Sequence, residues 1–144
     1  MKDCEFCRIV RGEIERYVVW EDDSSLGFLD DRPLFPGHVL LIPRRHYETL
    51  ADLPPDLVEP LFLGARLLAR AVEEGMEAQG TFVAINNRIS QSVPHLHVHV
   101  VPRRKKDGLK GFFWPRNPYK NEEHQKEVQK TLRAVIERLR RDFS

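Results

Sequence analysis

Several short stretches of the chain are dominated by apolar, β-branched and aromatic residues and are bounded by polar, proline or glycine residues, a pattern typical of β-strands. We predict four such strands, over residues 17–20, 26–29, 38–42 and 81–85. The strictest alternation lies in residues 95–101, where Leu96, Val98 and Val100 separate three histidines. A strand there would direct its aliphatic side chains into the core and its three imidazoles to the opposite face.

Two longer stretches carry apolar residues at three- and four-residue steps, which predicts helices over 56–74 and 121–141. Pro60 lies inside the first of these, so the regular helix should begin after it or be kinked there. Gly75 is a suitable stop. Strand hairpins with helices set apart from them indicate an α+β domain rather than a parallel doubly wound sheet.

Composition narrows the class of protein. The 144 residues are 41% hydrophobic and 31% charged, with a net charge of +1, which favours one soluble globular domain over 1–144 and gives no general affinity for nucleic acid. The sequence contains neither an apolar signal-peptide core nor a membrane-spanning stretch. We therefore expect a cytoplasmic location and no membrane partner. Two cysteines provide no disulfide framework, and their close spacing favours metal.

The three histidines at 95, 97 and 99 point to chemistry on one face of the strand. Imidazole is well suited to nucleophilic, proton-transfer or metal-binding work near neutral pH. The alternative is a solvated strand face that happens to hold histidines. Such faces usually draw on Thr, Lys, Glu and Arg instead.

The run His-φ-His-φ-His-φ-φ at 95–101, where φ is apolar, resembles the signature of the histidine-triad family of nucleotide-binding hydrolases and transferases. Residues 4–14 resemble the opening of bacterial members, and residues 28–46 resemble the family's strand–turn–strand with its GH…IP..H ending. The resemblance covers roughly residues 3–104 and leaves 105–144 as a subfamily tail. It implies a five-stranded antiparallel sheet per protomer and a homodimer with a continuous sheet.

Cys4-x-x-Cys7 places two thiolates at a spacing that lets both bind one tetrahedral zinc. In the zinc-containing members that the chain resembles, two histidines complete the site, and their positions here are His46 and His95. A closed Cys2His2 site would be structural, because it leaves no position for a substrate. The alternative is a pair of buried free cysteines with His46 on the surface.

The resemblance also implies the catalytic residues. His97 is the expected nucleophile, attacking the α-phosphorus to form a nucleotidyl-histidine that water hydrolyses. Its attacking nitrogen must be unprotonated, which requires an acceptor behind the other nitrogen. His99 and His38 would stabilise charge on the phosphoryl oxygens, and Ser92 would help to protonate the leaving group. Without the family, His38 reads as a surface residue at a strand start.

Nucleotide-binding residues follow from the same resemblance. Asp30 is expected to accept both ribose hydroxyls of a purine nucleotide. Four apolar residues would surround the base, with Asp31 at the edge: Phe6, Ile9, Ile14 and Phe28. The loop residues Gln91, Ser92 and Val93 would hold the phosphate and the leaving group, and Asn86 would contact the ribose or the phosphate. Ile9 and Ile14 also read as plain core residues.

The segment 86–91 departs from the family because it is about two residues shorter than usual and lacks glycine. Glycine tolerates backbone conformations that other residues resist, so the phosphate loop should take another path. This puts the contact of Asn86 in doubt. Arg88 is a candidate for a charge that typical members lack.

The C-terminal tail does not determine which leaving group the substrate carries. The basic run 103–106 would attract a polyphosphate or form an ordinary solvated loop, and Trp114 would shape leaving-group choice or pack in the core or dimer. A phosphoramidate, an aminoacyl adenylate or a dinucleoside polyphosphate all remain candidates. Transfer to a second substrate is disfavoured because transferase members of the family that the chain resembles tend to replace the third histidine, whereas His99 is present. A nucleotide-binding regulatory protein is the rival from another class; processing of nucleic-acid ends would need a larger basic surface.

Overall fold

The strands form one antiparallel sheet of five strands in the order β1–β2–β3–β5–β4, and successive side chains along each strand point to opposite faces of it. The computed structural model describes residues 3–110 and 116–143. Its strands are β1 (Val18–Glu21), β2 (Ser25–Leu29), β3 (Val39–Pro43), β4 (Gly80–Ala84) and β5 (Val98–Arg103). Its helices are α1 (Glu5–Val10), α2 (Pro55–Gly75) and α3 (Glu122–Phe143), with one 3-10 turn at Leu50–Asp52. The predicted α+β class, with five antiparallel strands and two long helices, is confirmed.

The two long helices cover one face of the sheet. Leu68 of α2 and Leu132 of α3 are fully buried in the same core cluster as Leu96, Val98 and Val100. The aliphatic half of the 95–101 pattern therefore packs under the helices, and its apolar area stabilises the fold. In the described parts of the chain, no helix is long and apolar enough to cross a membrane.

The short helix α1 packs on the opposite face. Phe6 and Ile9 of α1 join Phe28 of β2 and Leu40 of β3 in a second buried cluster. The strand alternation explains the split, since Leu29 and Leu41, one residue further along their strands, belong to the core under α2. This second face carries the histidines.

The histidine segment itself corrects the prediction of a strand over 95–101. β5 begins only at Val98, so His95 and His97 precede the ladder. The β3–β5 register ends with Leu41 opposite Val98, and its continuation would place Ile42 opposite His97 and Pro43 opposite Leu96. Proline has no N–H to donate, and the Leu96 N–H bonds instead to the Tyr47 carbonyl at 2.7 Å.

The first long helix excludes one of the two alternatives given for Pro60. α2 begins at Pro55 and contains Pro60, so the regular helix does not begin only after this residue. Proline at the first helical position is favourable because that N–H has no intrahelical partner. Gly75 ends the helix as predicted.

Candidate functional site

Two cysteines and two histidines meet where α1 approaches the end of β3. Cys4 Sγ lies 3.3 Å from His95 Nδ1, and Cys7 Sγ lies 3.4 Å from His46 Nδ1 and 3.6 Å from His95 Nδ1. Tetrahedral zinc with ordinary Zn–S and Zn–N bonds places its sulfur and nitrogen ligands about 3.6 Å apart. The spacing of the four donors therefore matches the edges of a zinc tetrahedron.

The surroundings of the cluster support the same interpretation. All four donor atoms lie within 4.8 Å of one another, and both cysteines are buried and reduced. His95 Nε2 donates to the Pro43 carbonyl at 2.9 Å, which fixes Nδ1 as the metal-facing nitrogen. Cys4, Cys7, His46 and His95 thus fit a structural zinc site that ties α1 to the histidine segment, as predicted.

His97 has the acceptor that the sequence could not show. Its Nδ1 lies 2.8 Å from the carbonyl oxygen of His95, so Nδ1 carries the hydrogen and donates it. In the neutral ring this leaves the lone pair on Nε2. Burial lowers the pKa of His97, and the bond to the His95 carbonyl opposes this only in part. His97 is therefore a neutral imidazole with a defined tautomer at neutral pH.

His38 and His99 form a hydrogen-bonded pair beside it. The Leu34 N–H donates to His38 Nδ1 at 3.1 Å, so the His38 hydrogen sits on Nε2, 3.0 Å from His99 Nδ1. His99 Nδ1 then accepts, and its own hydrogen lies on Nε2. The His97 and His99 ring centroids are 4.9 Å apart. His38 is fully buried just before β3, not on the surface.

Electrostatics keep this pair neutral. Burial, followed by the neighbouring His97 and the charge of Arg116, lowers the pKa of His99 to about 3. Burial also holds the pKa of His38 well below its usual range, with His99, Arg116 and His97 adding smaller effects. Neutral His99 can donate its Nε2 hydrogen to a phosphoryl oxygen without adding charge to the resting site, whereas the one hydrogen of neutral His38 is donated to His99. The structure therefore supports the predicted contact with a phosphoryl oxygen for His99 and gives His38 the role of orienting His99.

A cleft of about 430 Å³ opens in front of the histidines, a size typical of small-molecule sites. His97 and His99 line it together with six other predicted site residues: Phe6, Phe28, Asp30, Asp31, Ser92 and Val93. The Phe6 ring meets Phe28 edge-on at 5.5 Å and His97 at 5.1 Å between centroids. Apolar walls, a carboxylate and two imidazoles therefore share one space.

Other predicted nucleotide residues lie elsewhere. Ile9 and Ile14 line a second, larger cleft of about 710 Å³ with Tyr17, and the histidines do not line it. Ile9 is also buried in the α1 cluster, in keeping with the alternative that it is core. Asn86 is half-buried in the loop after β4.

The Gln91 side chain links the loop 86–91 to Glu48 and to the backbone of Arg88. Its Nε2 donates to the Glu48 carbonyl at 2.6 Å, and its Oε1 accepts the Arg88 N–H at 2.9 Å. Arg88 and Ser90 have φ values of 68° and 61°, in the left-handed region that favours glycine. The loop therefore takes glycine-like turns without glycine. The Arg88 guanidinium is paired with the Glu48 carboxylate at 3.0 Å.

The basic run and the tail make different contacts in the structure. Arg103 is held by Asp107, with Nε 2.6 Å from Oδ2, and Arg104 donates to the Met76 carbonyl, which favours an ordinary loop. Arg116, which the sequence did not single out, lines the histidine cleft. Trp114 lies outside the described residues.

Comparisons with known proteins agree with this geometry. A family model described as the HIT domain matches residues 11–106 of the chain. The chain belongs to the HIT family. The crystal structure of a Zn-bound histidine triad family protein from Mycobacterium smegmatis superposes with a TM-score of 0.85 at 38% identity, and the match covers 98% of both chains. The similarity of this zinc-bound HIT protein supports the zinc site already described.

Two curated HIT relatives have named activities. The chain is 37% identical over 109 residues to an Arabidopsis thaliana protein named adenylylsulfatase HINT3, covering 74% of this chain and 55% of the plant protein. It is 36% identical over 92 residues to an asymmetrical bis(5'-nucleosyl)-tetraphosphatase of Schizosaccharomyces pombe, covering 62% of this chain and 50% of the yeast protein. The chain thus spans about half the length of each.

Proposed function

We propose that this HIT protein is a nucleotide hydrolase that cleaves at the α-phosphate through a covalent nucleotidyl-histidine on His97. The observation that carries the proposal is the 2.8 Å contact between His97 Nδ1 and the His95 carbonyl, because it directs a neutral nitrogen lone pair away from the backbone. His97 shares its cleft with Asp30, the expected ribose acceptor. The aromatic rings of Phe6 and Phe28 suit a purine base.

The reaction has two displacements. In the first, His97 Nε2 attacks the α-phosphorus, the bond to the leaving group breaks, and the leaving group departs with the electron pair. His99 Nε2–H donates to a phosphoryl oxygen. Ser92, which lines the cleft, would pass its hydroxyl hydrogen to a basic leaving atom and regain one from the water of the second displacement. In the second, water attacks phosphorus, the phosphorus–nitrogen bond breaks, and the nucleoside monophosphate leaves with His97 restored.

The leaving group is the amine of a phosphoramidate, the carboxylate of an aminoacyl adenylate, or another acidic group joined to the α-phosphate through an anhydride. The names of the plant and yeast relatives, an adenylylsulfatase and a bis(5'-nucleosyl)-tetraphosphatase, favour an acidic group. Three cations outside the cleft already have partners within the protein. Arg103 pairs with Asp107, Arg104 donates to the Met76 carbonyl, and Arg88 pairs with Glu48. These pairings favour cleft residues over the basic run as the source of selectivity.

We further propose that the protein forms a homodimer through β4. This strand is one of the two outer strands of the sheet and lies next to β5, and Val83 on it is 45% exposed. On the neighbouring helix α2, Val58 and Phe62 are exposed four residues apart and so share a face. Pairing of two β4 strands would extend the sheet and cover these apolar groups.

Turnover measurements test the hydrolase proposal. Adenosine 5'-phosphoramidate, adenylyl sulfate and diadenosine tetraphosphate are each offered to the wild-type protein, to His97→Ala and to His124→Ala, which removes a histidine outside the cleft. We expect His97→Ala to lower kcat by about 10⁴-fold and His124→Ala to keep it. If nucleotides bind but none of the three turns over, the rival reading of a regulatory nucleotide-binding protein replaces the proposal.

A further inference from the structure

Arg116 brings positive charge to the mouth of the histidine cleft. Its Nη1 lies 3.9 Å from Asp30 Oδ2 and donates to the Arg32 carbonyl. The tail around it is attached to the loop before β3, because the Asn117 N–H bonds to the Leu34 carbonyl at 3.1 Å and Asn117 Nδ2 to the same oxygen at 2.8 Å. These backbone and side-chain hydrogen bonds of Asn117 therefore fix the position of the Arg116 backbone beside the cleft.

Asp30 needs this charge because it is a partly buried carboxylate. Its side chain is only 17% exposed, and burial raises its pKa. The Arg32 N–H, which donates to Oδ1 at 2.9 Å, and the charge of Arg116 both oppose that rise. His38 Nδ1, 3.8 Å from Oδ2, brings no hydrogen because it accepts the Leu34 N–H.

The distance between the two charged groups has a consequence for ligand binding. At 3.9 Å the guanidinium attracts the carboxylate but is too far away to occupy a lone pair as a hydrogen-bond donor. Asp30 Oδ2 therefore keeps acceptor capacity for a hydroxyl group, while Oδ1 is oriented by the Arg32 backbone. A direct bidentate pair would have used this capacity.

We infer that Arg116 is a positioning residue that holds the Asp30 carboxylate ready to accept the two ribose hydroxyls of the substrate, and so selects ribonucleotides. The inference rests on the proposed function, in which Asp30 binds ribose. It assigns Arg116 to the ribose rather than to the leaving group. Its effect should therefore vanish for a nucleotide without the 2'- and 3'-hydroxyls.

Calorimetric titration of the full chain with AMP and with 2',3'-dideoxy-AMP tests this inference. We compare wild type with Arg116→Met, which removes the charge, and with Arg116→Lys, which keeps it. Arg104→Met, which removes an arginine of the basic run outside the cleft, is the control. If circular dichroism shows Arg116→Met to be unfolded, Arg116→Gln takes its place.

We expect wild type to prefer AMP, and Arg116→Met to reduce the ratio of the two Kd values by about fivefold, as for one partly exposed charge pair. Arg116→Lys should restore most of the ratio, and Arg104→Met should leave it unchanged. Equal weakening of both nucleotides in Arg116→Met, or an unchanged ratio, overturns the inference alone. A wild-type protein that does not distinguish the two nucleotides overturns the ribose role of Asp30 and, with it, the inference.

Discussion

The carbonyl oxygen of His95 accepts the Nδ1 hydrogen of His97 at 2.8 Å, while the imidazole of His95 belongs to the zinc site. One residue therefore joins the structural site to the expected nucleophile. Phe6 strengthens the connection, because it lies between the two cysteines in sequence and its ring meets His97 edge-on. A disturbance of the zinc site should reach the nucleophile through both residues.

Removal of a zinc ligand should lower both stability and turnover. We expect Cys4→Ser to lose bound zinc and to lower Tm by about 10 °C, corresponding to roughly 3 kcal/mol for a domain of this size. Elemental analysis measures the zinc and calorimetry measures Tm. A chelator should lower the Tm of wild type and have no further effect on Cys4→Ser. Equal sensitivity of both proteins to the chelator would contradict a structural zinc on these ligands.

Stability should fall on the acid side because buried histidines resist protonation. His99 has a pKa of about 3 when folded and about 6.5 when unfolded. Above pH 6.5 neither state binds this proton, so the full stability is present. As the pH falls from 6.5 towards 3, only the unfolded chain binds it, and the free energy of unfolding falls by about 1.4 kcal/mol per pH unit.

Urea unfolding between about pH 4 and about pH 8 measures this dependence, because that range includes both the sloping region below pH 6.5 and the plateau above it. His99→Gln, which cannot be protonated, should have an acid-side slope shallower by about one proton than that of wild type. An unchanged slope would show that His99 is protonated in the folded protein or neutral in both states.

The contact between Tyr119 and Gly37 should be a measurable part of the tail attachment. The half-buried Tyr119 hydroxyl accepts the Gly37 N–H at 3.1 Å, directly before His38. Tyr119→Phe leaves that N–H without this acceptor, and we expect a loss of about 1–2 kcal/mol in the free energy of unfolding. Urea denaturation with an unchanged m-value checks it. A variant as stable as wild type would mean that water replaces the hydroxyl.

A charge on the outer strand should separate the proposed dimer. Val83→Lys places an ammonium group on the exposed edge of β4, where pairing with a second copy would bury it. We expect light scattering after size-exclusion chromatography to give the mass of a dimer for wild type and of a monomer for the variant. A monomeric wild type would contradict the proposed interface.

The sequence predicted those parts of the molecule that depend on local periodicity or on the family signature. The alternation in residues 95–101 predicted that Leu96 and Val98 lie in the core. The resemblance to the family predicted that His46 and His95 join Cys4 and Cys7 at the zinc site. The alternation also placed His95 and His97 on a strand, because nothing local shows that Pro43 on another strand ends the ladder.

The rest of the site depends on contacts between distant segments. His38 and His99 pair across 61 positions, and the tautomers of both follow from the Leu34 backbone. Arg116 reaches Asp30 because Asn117 binds a loop 83 positions earlier. Neither relationship leaves a periodic signal, and a single arginine in a tail looks like any other.

The most direct measurement is the intact mass of the protein within seconds of mixing with adenosine 5'-phosphoramidate, without acid, for wild type and His97→Ala. A nucleotidyl-histidine intermediate predicts a wild-type mass increase of one adenylyl group, located on His97 by fragmentation, and no increase in the variant. Turnover of the substrate by wild type with no adduct at any time, or an adduct that persists in His97→Ala, would contradict it.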